Sequence, residues 1–412
     1  MNKKRLAEIA SVVREWEARR LGIEVARFSA TAQIMPKLPA VPKWIDLSSA
    51  KIAVSPDCSY QLVKACLRKA KHSLKVYIYN LSADYLLAEL SAAKARGVSV
   101  RVMYDTHDSG KAEQEVLDNL GITHIAAPST KPANYFSVCH QKFVVVDDSD
   151  LLIESANWAT SSIPKRSVGD PYKIGNREWL AWVTSKSLAE WFDQLFEHDW
   201  RLAKEKRSFA EIVPPEEGVF ALGTMAFSAI PSKEFDVASI KTPLKVFPVV
   251  SPNNYGEQIL IQLKAATSSI CVQQQYITAG DGVDDLLDVL EQKKKKGVTI
   301  RILVSPKFPD AWQHSIDTLT AANLVDRLRA TNLKYVVHNH NKGLIIDSRF
   351  TVVSSTNWSE NSIVRAREAG LLVDSVELAK YFKGVFDFDW RVGVAISDVA
   401  KKFTVTSSAD FM

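Results

Sequence analysis

This 412-residue chain contains the same run of residues twice. GVSVRV at 97–102 returns as GVTIRI at 297–302, and HQKFVVVDDSDLLIESANWATSS at 140–162 returns as HNKGLIIDSRFTVVSSTNWSENS at 340–362, both at an offset of 200. WFDQLFEHDWR at 191–201 lines up with YFKGVFDFDWR at 381–391. A repeat of this length is a duplicated domain, not a solenoid unit. The expected division is an N-terminal helix and proline-containing linker at 1–48, a first domain at 49–205, a connector at 206–240, a second domain at 241–398 and a tail at 399–412.

Within each copy the hydrophobic pattern alternates between strand and helix. KVYIYNL (75–81) reads as a strand, DYLLAELSAAKARG (84–97) as a helix ending at glycine, and VSVRVMYD (98–105) as the next strand. ICVQQQYI (270–277), DDLLDVLEQKKKKG (284–297) and VTIRILVS (298–305) repeat that order. A β-α-β unit of this kind predicts an α/β fold with a parallel or mixed sheet flanked by helices.

Composition adds boundaries. With 46% hydrophobic and 24% charged residues, each domain can bury a core. No apolar run approaches the roughly 20 residues of a membrane helix, and Glu8, Arg14, Glu15 and Glu17 interrupt the N-terminal stretch, so a cytoplasmic location is expected. Leu6, Ile9, Val13 and Trp16 recur at helical spacing within 4–21, among five Lys/Arg and three Glu. That helix is expected to dock on its own domain; peripheral contact with an anionic membrane is the alternative. Cys58, Cys66, Cys139 and Cys271 form no CxxC pair, which favours free thiols over a zinc site. The net charge of +5 permits a phosphate-rich partner without demanding one. Lys293 to Lys296, at a helix C-terminus, complement its dipole and read as a solvated face.

The chemistry sits in the long repeated segment. Side chains alternate along a strand, so His140 and Lys142 share a face, as do Ser155 and Asn157, and His340 with Lys342 and Ser355 with Asn357 repeat the arrangement. Asp147 and Asp347 follow their histidines by seven positions and, on a regular strand, face away. Lysine supplies fixed charge, Ser and Asn can donate hydrogen bonds to developing oxyanions, and histidine can act as nucleophile or acid/base near neutral pH. Such a set needs neither metal nor cofactor. His338 shares the face of His340, while its counterpart is Val138; a packing role or an extra substrate contact both fit.

HxK, four residues, Asp, seven residues and a Ser-x-Asn element resembles the signature of the phospholipase D superfamily, present here twice. The resemblance implies a duplicated phospholipase D-like domain with a pseudo-twofold axis and one active site between the repeats. It implies catalytic roles for His140, Lys142, His340 and Lys342, and makes Asp147 and Asp347, which complete the motif, structural supports. One histidine would attack phosphorus, the N-terminal copy His140 in related two-repeat enzymes, while the other protonates the leaving oxygen. Glu178 and Glu368 match the family's closing glutamate and would orient the histidines. Glu154 and Ser354 replace the family's usual glycine; strand parity turns Glu154 away from Ser155 and the site.

The resemblance implies a phosphodiesterase, a monomer containing an internal pseudo-dimer. Phospholipid is the expected substrate, a metal-independent nuclease on DNA or RNA the alternative, and a non-catalytic phosphate-binding protein a further one. Trp158 and Trp358 could stack on a base but are expected in the core.

Overall fold

The computed structural model describes residues 38–40, 43–107, 110–166, 170, 173–205 and 234–399. The expected helix at 4–21, residues 206–233 of the connector and residues 400–412 lie outside them.

The first repeat runs β1 (Ile45–Leu47), β2 (Ala50–Ser55), α1 (Ser59–Lys69), β3 (Ser73–Ile78), α2 (Asp84–Ala95), β4 (Ser99–Tyr104), α3 (Gly110–Asn119), β5 (Thr123–Ala126), β6 (Phe143–Val146), β7 (Asp150–Glu154), β8 (Glu178–Thr184) and α4 (Lys186–Ala203). The second runs β9 (Ala238–Ile240), β10 (Leu244–Ser251), α5 (Tyr255–Ala265), β11 (Ser269–Gln274), α6 (Val283–Lys295), β12 (Thr299–Val304), α7 (Pro309–Ala321), β13 (Leu328–Ala330), β14 (Gly343–Ile346), β15 (Phe350–Ser354), β16 (Glu368–Asp374) and α8 (Val376–Val392).

Each repeat builds an eight-stranded mixed sheet, in the orders β5-β4-β3-β6-β7-β8-β2-β9 and β13-β12-β11-β14-β15-β16-β10-β1. The βαβ pattern read from sequence produces the parallel strands β3, β4 and β5, and β11, β12 and β13; the remaining pairings are antiparallel. Gly97 and Gly297, at φ +87° and +83°, end α2 and α6 in the left-handed conformation that a side chain would strain. Ser185 and Ser375 cap α4 and α8 through the N–H groups of Leu188 and Leu378.

The sheets exchange edges. β1 precedes the first sheet yet pairs with β10 of the second, and β9 precedes the second yet pairs with β2 of the first. Two three-residue strands thus tie the repeats together outside the sequence motifs. The basic run at 293–296 is partly structural: Lys293 donates to the carbonyls of Lys264 and Ala266 at the end of α5, and Lys294 pairs with Asp326 and the Asn323 carbonyl.

The apolar core continues across the interface. Trp179 on β8 stacks on Phe382 of α8, ring centroids 4.4 Å apart. A Cβ at Gly343 would meet the Trp179 ring at 2.4 Å, so glycine is required for that approach. The matching positions of the opposite pairing carry Phe143 and Ala369. Two buried ionic networks flank this core. Arg177 donates to Asp389 (2.9 and 3.0 Å) and Asp57 (2.7 Å), and Arg367 donates to Asp199 (2.9 and 2.8 Å). Each arginine precedes the motif glutamate of one repeat and reaches the last helix of the other, where the matched FEHDWR and FDFDWR sequences supply the carboxylate.

Candidate active site

The backbone brings the two histidine segments to the interface. His140 N donates to Arg367 O and Arg367 N to Val138 O, while His340 N donates to Arg177 O and Arg177 N to His338 O. Each His-x-Lys segment therefore lies alongside the glutamate segment of the other repeat. His340 Nδ1 is 2.7 Å from Glu178 Oε1, and His140 Nδ1 is 3.0 Å from both oxygens of Glu368. The His140 and His340 rings are 6.3 Å apart between centroids. All four side chains are buried, 5% exposed or less.

Carboxylates on Nδ1 hold a proton there, leaving Nε2 with a lone pair in the neutral ring and with a second proton in the imidazolium. Burial works against the charge of Glu178, yet His340, Lys342 and the Ser155 hydroxyl outweigh it and hold its carboxyl below the usual range. Ser155 Oγ donates to Glu178 Oε2 at 2.6 Å and accepts from Trp179 N. Ser355 Oγ bonds instead to the backbone of Ala369, donating to its carbonyl and accepting from its N–H. This corrects the expectation that both serines face substrate: their hydroxyls are committed to the protein, and Ser155 positions Glu178. The Oδ1 atoms of Asn157 and Asn357 are buried without a hydrogen-bond partner among the described residues, so these amides are not locked into the framework.

Lys142 and Lys342 are fully buried, each donating to the carbonyl of its own histidine at 2.6 Å. Their surroundings differ. Lys142 Nζ lies 5.2 Å from the centroid of Tyr79, whose ring is edge-on to His140 at 4.8 Å. Lys342 donates to Gln275 Oε1 at 3.1 Å, from the position matching Tyr79 after β11. Neither Tyr79 nor Gln275 stood out in the sequence, because each directly follows a strand that carries no recognisable chemical motif.

Asp147 and Asp347 stand apart from the site. Each sits at positive φ (50° and 52°) in the hairpin turn after β6 or β14. Asp147 accepts the N–H groups of Lys71, His72 and Ser73; Asp347 accepts those of Thr267, Ser268 and Ser269 and two hydroxyls. Burial alone would raise the Asp347 carboxyl, but these donors lower it to about 2. They tie the hairpin to the start of the neighbouring strand and, although they complete the motif, do not belong with the catalytic residues.

Glu154 is fully buried, and its Oε1 accepts from Trp158 Nε1 at 2.7 Å. In the second repeat Trp358 Nε1 donates to the Tyr255 hydroxyl at 3.2 Å. Tyr255 opens α5 as Ser59 opens α1, so the indole acceptor comes from the strand in one repeat and the helix in the other. Burial, aided by Glu178, pushes the Glu154 carboxyl up to about 8 against the opposing pull of Trp158 and Lys142. Both tryptophans are fully buried and offer no stacking surface.

A family model described as "Cardiolipin synthase, PLD-like domain" matches residues 63–200 and 259–390, which covers both halves of this site. The chain belongs to the phospholipase D-like family. Over 145 residues it is 25% identical to a mitochondrial cardiolipin hydrolase of Xenopus tropicalis, covering 35% of this chain and 62% of that protein. Over 107 residues it is 28% identical to a mitochondrial cardiolipin hydrolase of Chlamydomonas reinhardtii, covering 26% and 46%. The chain thus spans under two thirds of each curated relative. Among solved structures, the phosphatidylserine synthase of Haemophilus influenzae Rd KW20 has the same fold, with a TM-score of 0.58 at 14% identity over 89% of this chain and 91% of that one.

Proposed function

We propose that the protein cleaves a phospholipid phosphodiester by double displacement through a phosphohistidine. The observation that carries this reading is the pair of histidine rings 6.3 Å apart, each held at Nδ1 by a glutamate of the other repeat. Two near-attack contacts of roughly 3 Å laid end to end span a comparable distance, so one phosphorus with its leaving oxygen fits between them.

In the first step Nε2 of one histidine attacks phosphorus. The N–P bond forms, the P–O bond to the leaving alcohol breaks, and the other histidine gives its Nε2 proton to that alkoxide oxygen. In the second, the now neutral histidine takes a proton from water or an acceptor alcohol, whose oxygen attacks phosphorus as the N–P bond breaks. Lys142, Lys342, Asn157 and Asn357 meet the charge on the non-bridging oxygens. The same residues serve hydrolysis and transfer.

The lipid assignment draws on the family description and on the names of the two relatives, with the buried tryptophans removing one feature that would suit bases. The test is a panel: labelled phospholipid vesicles, with and without added alcohol, beside single- and double-stranded DNA and RNA. Release of a lipid phosphate product is expected, and cleavage of nucleic acid with untouched lipid would overturn the substrate assignment.

A further inference from the structure

Glu154 is a buried carboxyl that the two-histidine mechanism leaves unused. It ends β7, and its backbone N–H donates to the Lys142 carbonyl at 3.1 Å. Its side chain reaches forward to Trp158, whose Nε1 donates to Oε1 at 2.7 Å. Oε2 is buried with no hydrogen-bond partner among the described residues. The turn closed by this contact, 154–158, contains Ser155, which holds Glu178, and Asn157, whose Oδ1 is not committed to the framework.

Trp158 is fixed at its backbone as well. Its N–H donates to the Asn80 carbonyl at 2.9 Å, and its own carbonyl accepts from the N–H groups of Ser82 and Ala83 at 2.9 and 2.8 Å. Asn80 follows Tyr79, the residue whose ring is edge-on to His140. With the indole buried and the backbone held, the Glu154 contact fixes the turn that presents Asn157. The second repeat closes its copy of this turn without an ionisable group. Ser354 Oγ donates to Thr356 Oγ1 at 2.8 Å and accepts from Thr356 N at 3.0 Å, while Trp358 Nε1 donates to the Tyr255 hydroxyl.

The titratable groups facing Glu154 are Glu178 from β8, Lys142 from the segment before β6 and the Cys66 thiol from α1. Two carboxyls in one dry site are pushed apart in acidity. Glu178 has the stronger support, from His340, Lys342 and Ser155, and is the charged member. Glu154 has the indole as its donor, and burial pushes it up to about 8. Loss of its proton would place a buried anion beside Glu178 and Lys142. That anion opposes the lysine charge that meets the phosphoryl oxygens, and its Oε2 lacks a donor to stabilise it.

We propose that Glu154 is a positioning residue that works in its protonated form, holding Asn157 in place through Trp158 and leaving Glu178 as the charged carboxylate that orients His340. The first half-site therefore loses its working arrangement as the solution becomes alkaline, while the second carries no such dependence in its turn. This rests on the phosphodiester chemistry assigned to His140 and His340.

The test uses the full chain, Glu154→Gln, which keeps the acceptor and cannot ionise, and Glu154→Leu, which removes the acceptor. Turnover of bis(4-nitrophenyl) phosphate is followed against pH. 4-Nitrophenolate departs without a proton, so the histidine that serves as acid does not set the alkaline limb. Wild-type kcat is expected to fall as pH rises through about 8, and Glu154→Gln should stay level. Glu154→Leu should be slower on the order of tenfold at every pH, with thermal melting to check folding. Infrared difference spectra should show the carbonyl band of a protonated carboxyl that disappears over the same pH range and is missing from Glu154→Gln. The same alkaline fall in wild type and Glu154→Gln would overturn the role of Glu154 and leave the phosphodiester reading intact. So would a Glu154→Leu variant as fast as Glu154→Gln, or the absence of the band. If Glu154→Leu does not fold, the Glu154→Gln profile and the band decide. A wild-type protein that cleaves no diester at any pH, with the band present, would sink the phosphodiester reading and the catalytic role of Glu154 with it.

Discussion

His340 and Glu178 belong to different repeats, yet their Nδ1 and Oε1 atoms are 2.7 Å apart. Each half of the duplication holds the other half's histidine in its reactive tautomer. Glu178→Gln keeps the shape and removes the charge that fixes the Nδ1 proton. Turnover is expected to fall on the order of 10²–10⁴-fold, the scale of a misplaced acid/base. Glu368→Gln should do the same through His140. Imidazole nitrogen NMR shifts should report a loss of the Nδ1–H form of His340 in the first variant and of His140 in the second. Loss at the histidine of the same repeat would sink the crossed arrangement.

The buried arginines give a stability prediction. Arg367 is 1% exposed and Asp199 fully buried, so Arg367→Met leaves a carboxylate with an ionic partner removed. The expected cost is about 3–5 kcal/mol by urea denaturation, with Arg367→Met/Asp199→Asn losing less than the two single changes together. Burial would raise the Asp199 carboxyl, but Arg367 and His198 hold it below its ordinary value. A lowered folded pKa means that the contribution is present above about pH 4 and is lost as pH falls through the folded value. The acid-side loss of stability should therefore shrink in Asp199→Asn; an unchanged acid limb would assign it to other carboxylates.

Much of this was legible from sequence for one physical reason. Duplication repeats spacing, and strand–helix alternation survives as hydrophobic period, so the α/β class and the paired histidines could be read directly. The edge exchange of β1 and β9 could not: three-residue strands leave no period to detect. The strand-parity argument sent Asp147 away from the site, but the operative cause is a left-handed turn beyond the strand, where parity no longer applies. Parity also left Ser155 facing the site while giving no sign that Glu178 would take its hydroxyl. The repeated Asp in FEHDWR and FDFDWR was visible, but its arginine partner lies in the other repeat, far away in sequence.

Glu154 predicts an alkaline effect. Its carboxyl is raised to about 8, whereas the unfolded chain ionises near 4.5. The folded state keeps a proton that the unfolded state releases, so this residue costs stability as pH climbs from about 4.5 to 8, and the cost levels off above. Glu154→Gln keeps an acceptor for Trp158 without that penalty. Its stability relative to wild type should rise over this window, by at most about 1.4 kcal/mol per pH unit. A difference that stays flat between pH 5 and pH 8 in denaturant titrations would show that Glu154 is ionised throughout.

Lys142 and Lys342 are expected to act through charge that matters most as the phosphoryl oxygens become more negative. Lys142→Met and Lys342→Met should each lower turnover on the order of 10²–10³-fold with melting behaviour retained. With lysines meeting that charge, activity should also survive EDTA; loss that added divalent metal restores would contradict this division of labour.

The decisive test concerns the unity of the site. Each repeat contributes one histidine of the facing pair, and the ring separation of 6.3 Å lets both address one phosphorus. Double displacement needs a nucleophile and a proton donor together, so neither histidine can sustain turnover alone. His140→Ala and His340→Ala should each abolish activity, and the double variant should be little worse, because groups that act as a unit are not additive. Reactions quenched in alkaline denaturant should trap the phosphoryl group on one histidine, His140 by the family resemblance, and none should be trapped in His140→Ala. Trapping on His340 alone would reverse the two roles and leave the shared site intact. Retention of about half the activity in each single variant would mean two independent sites, and the crossed glutamates would then need another explanation.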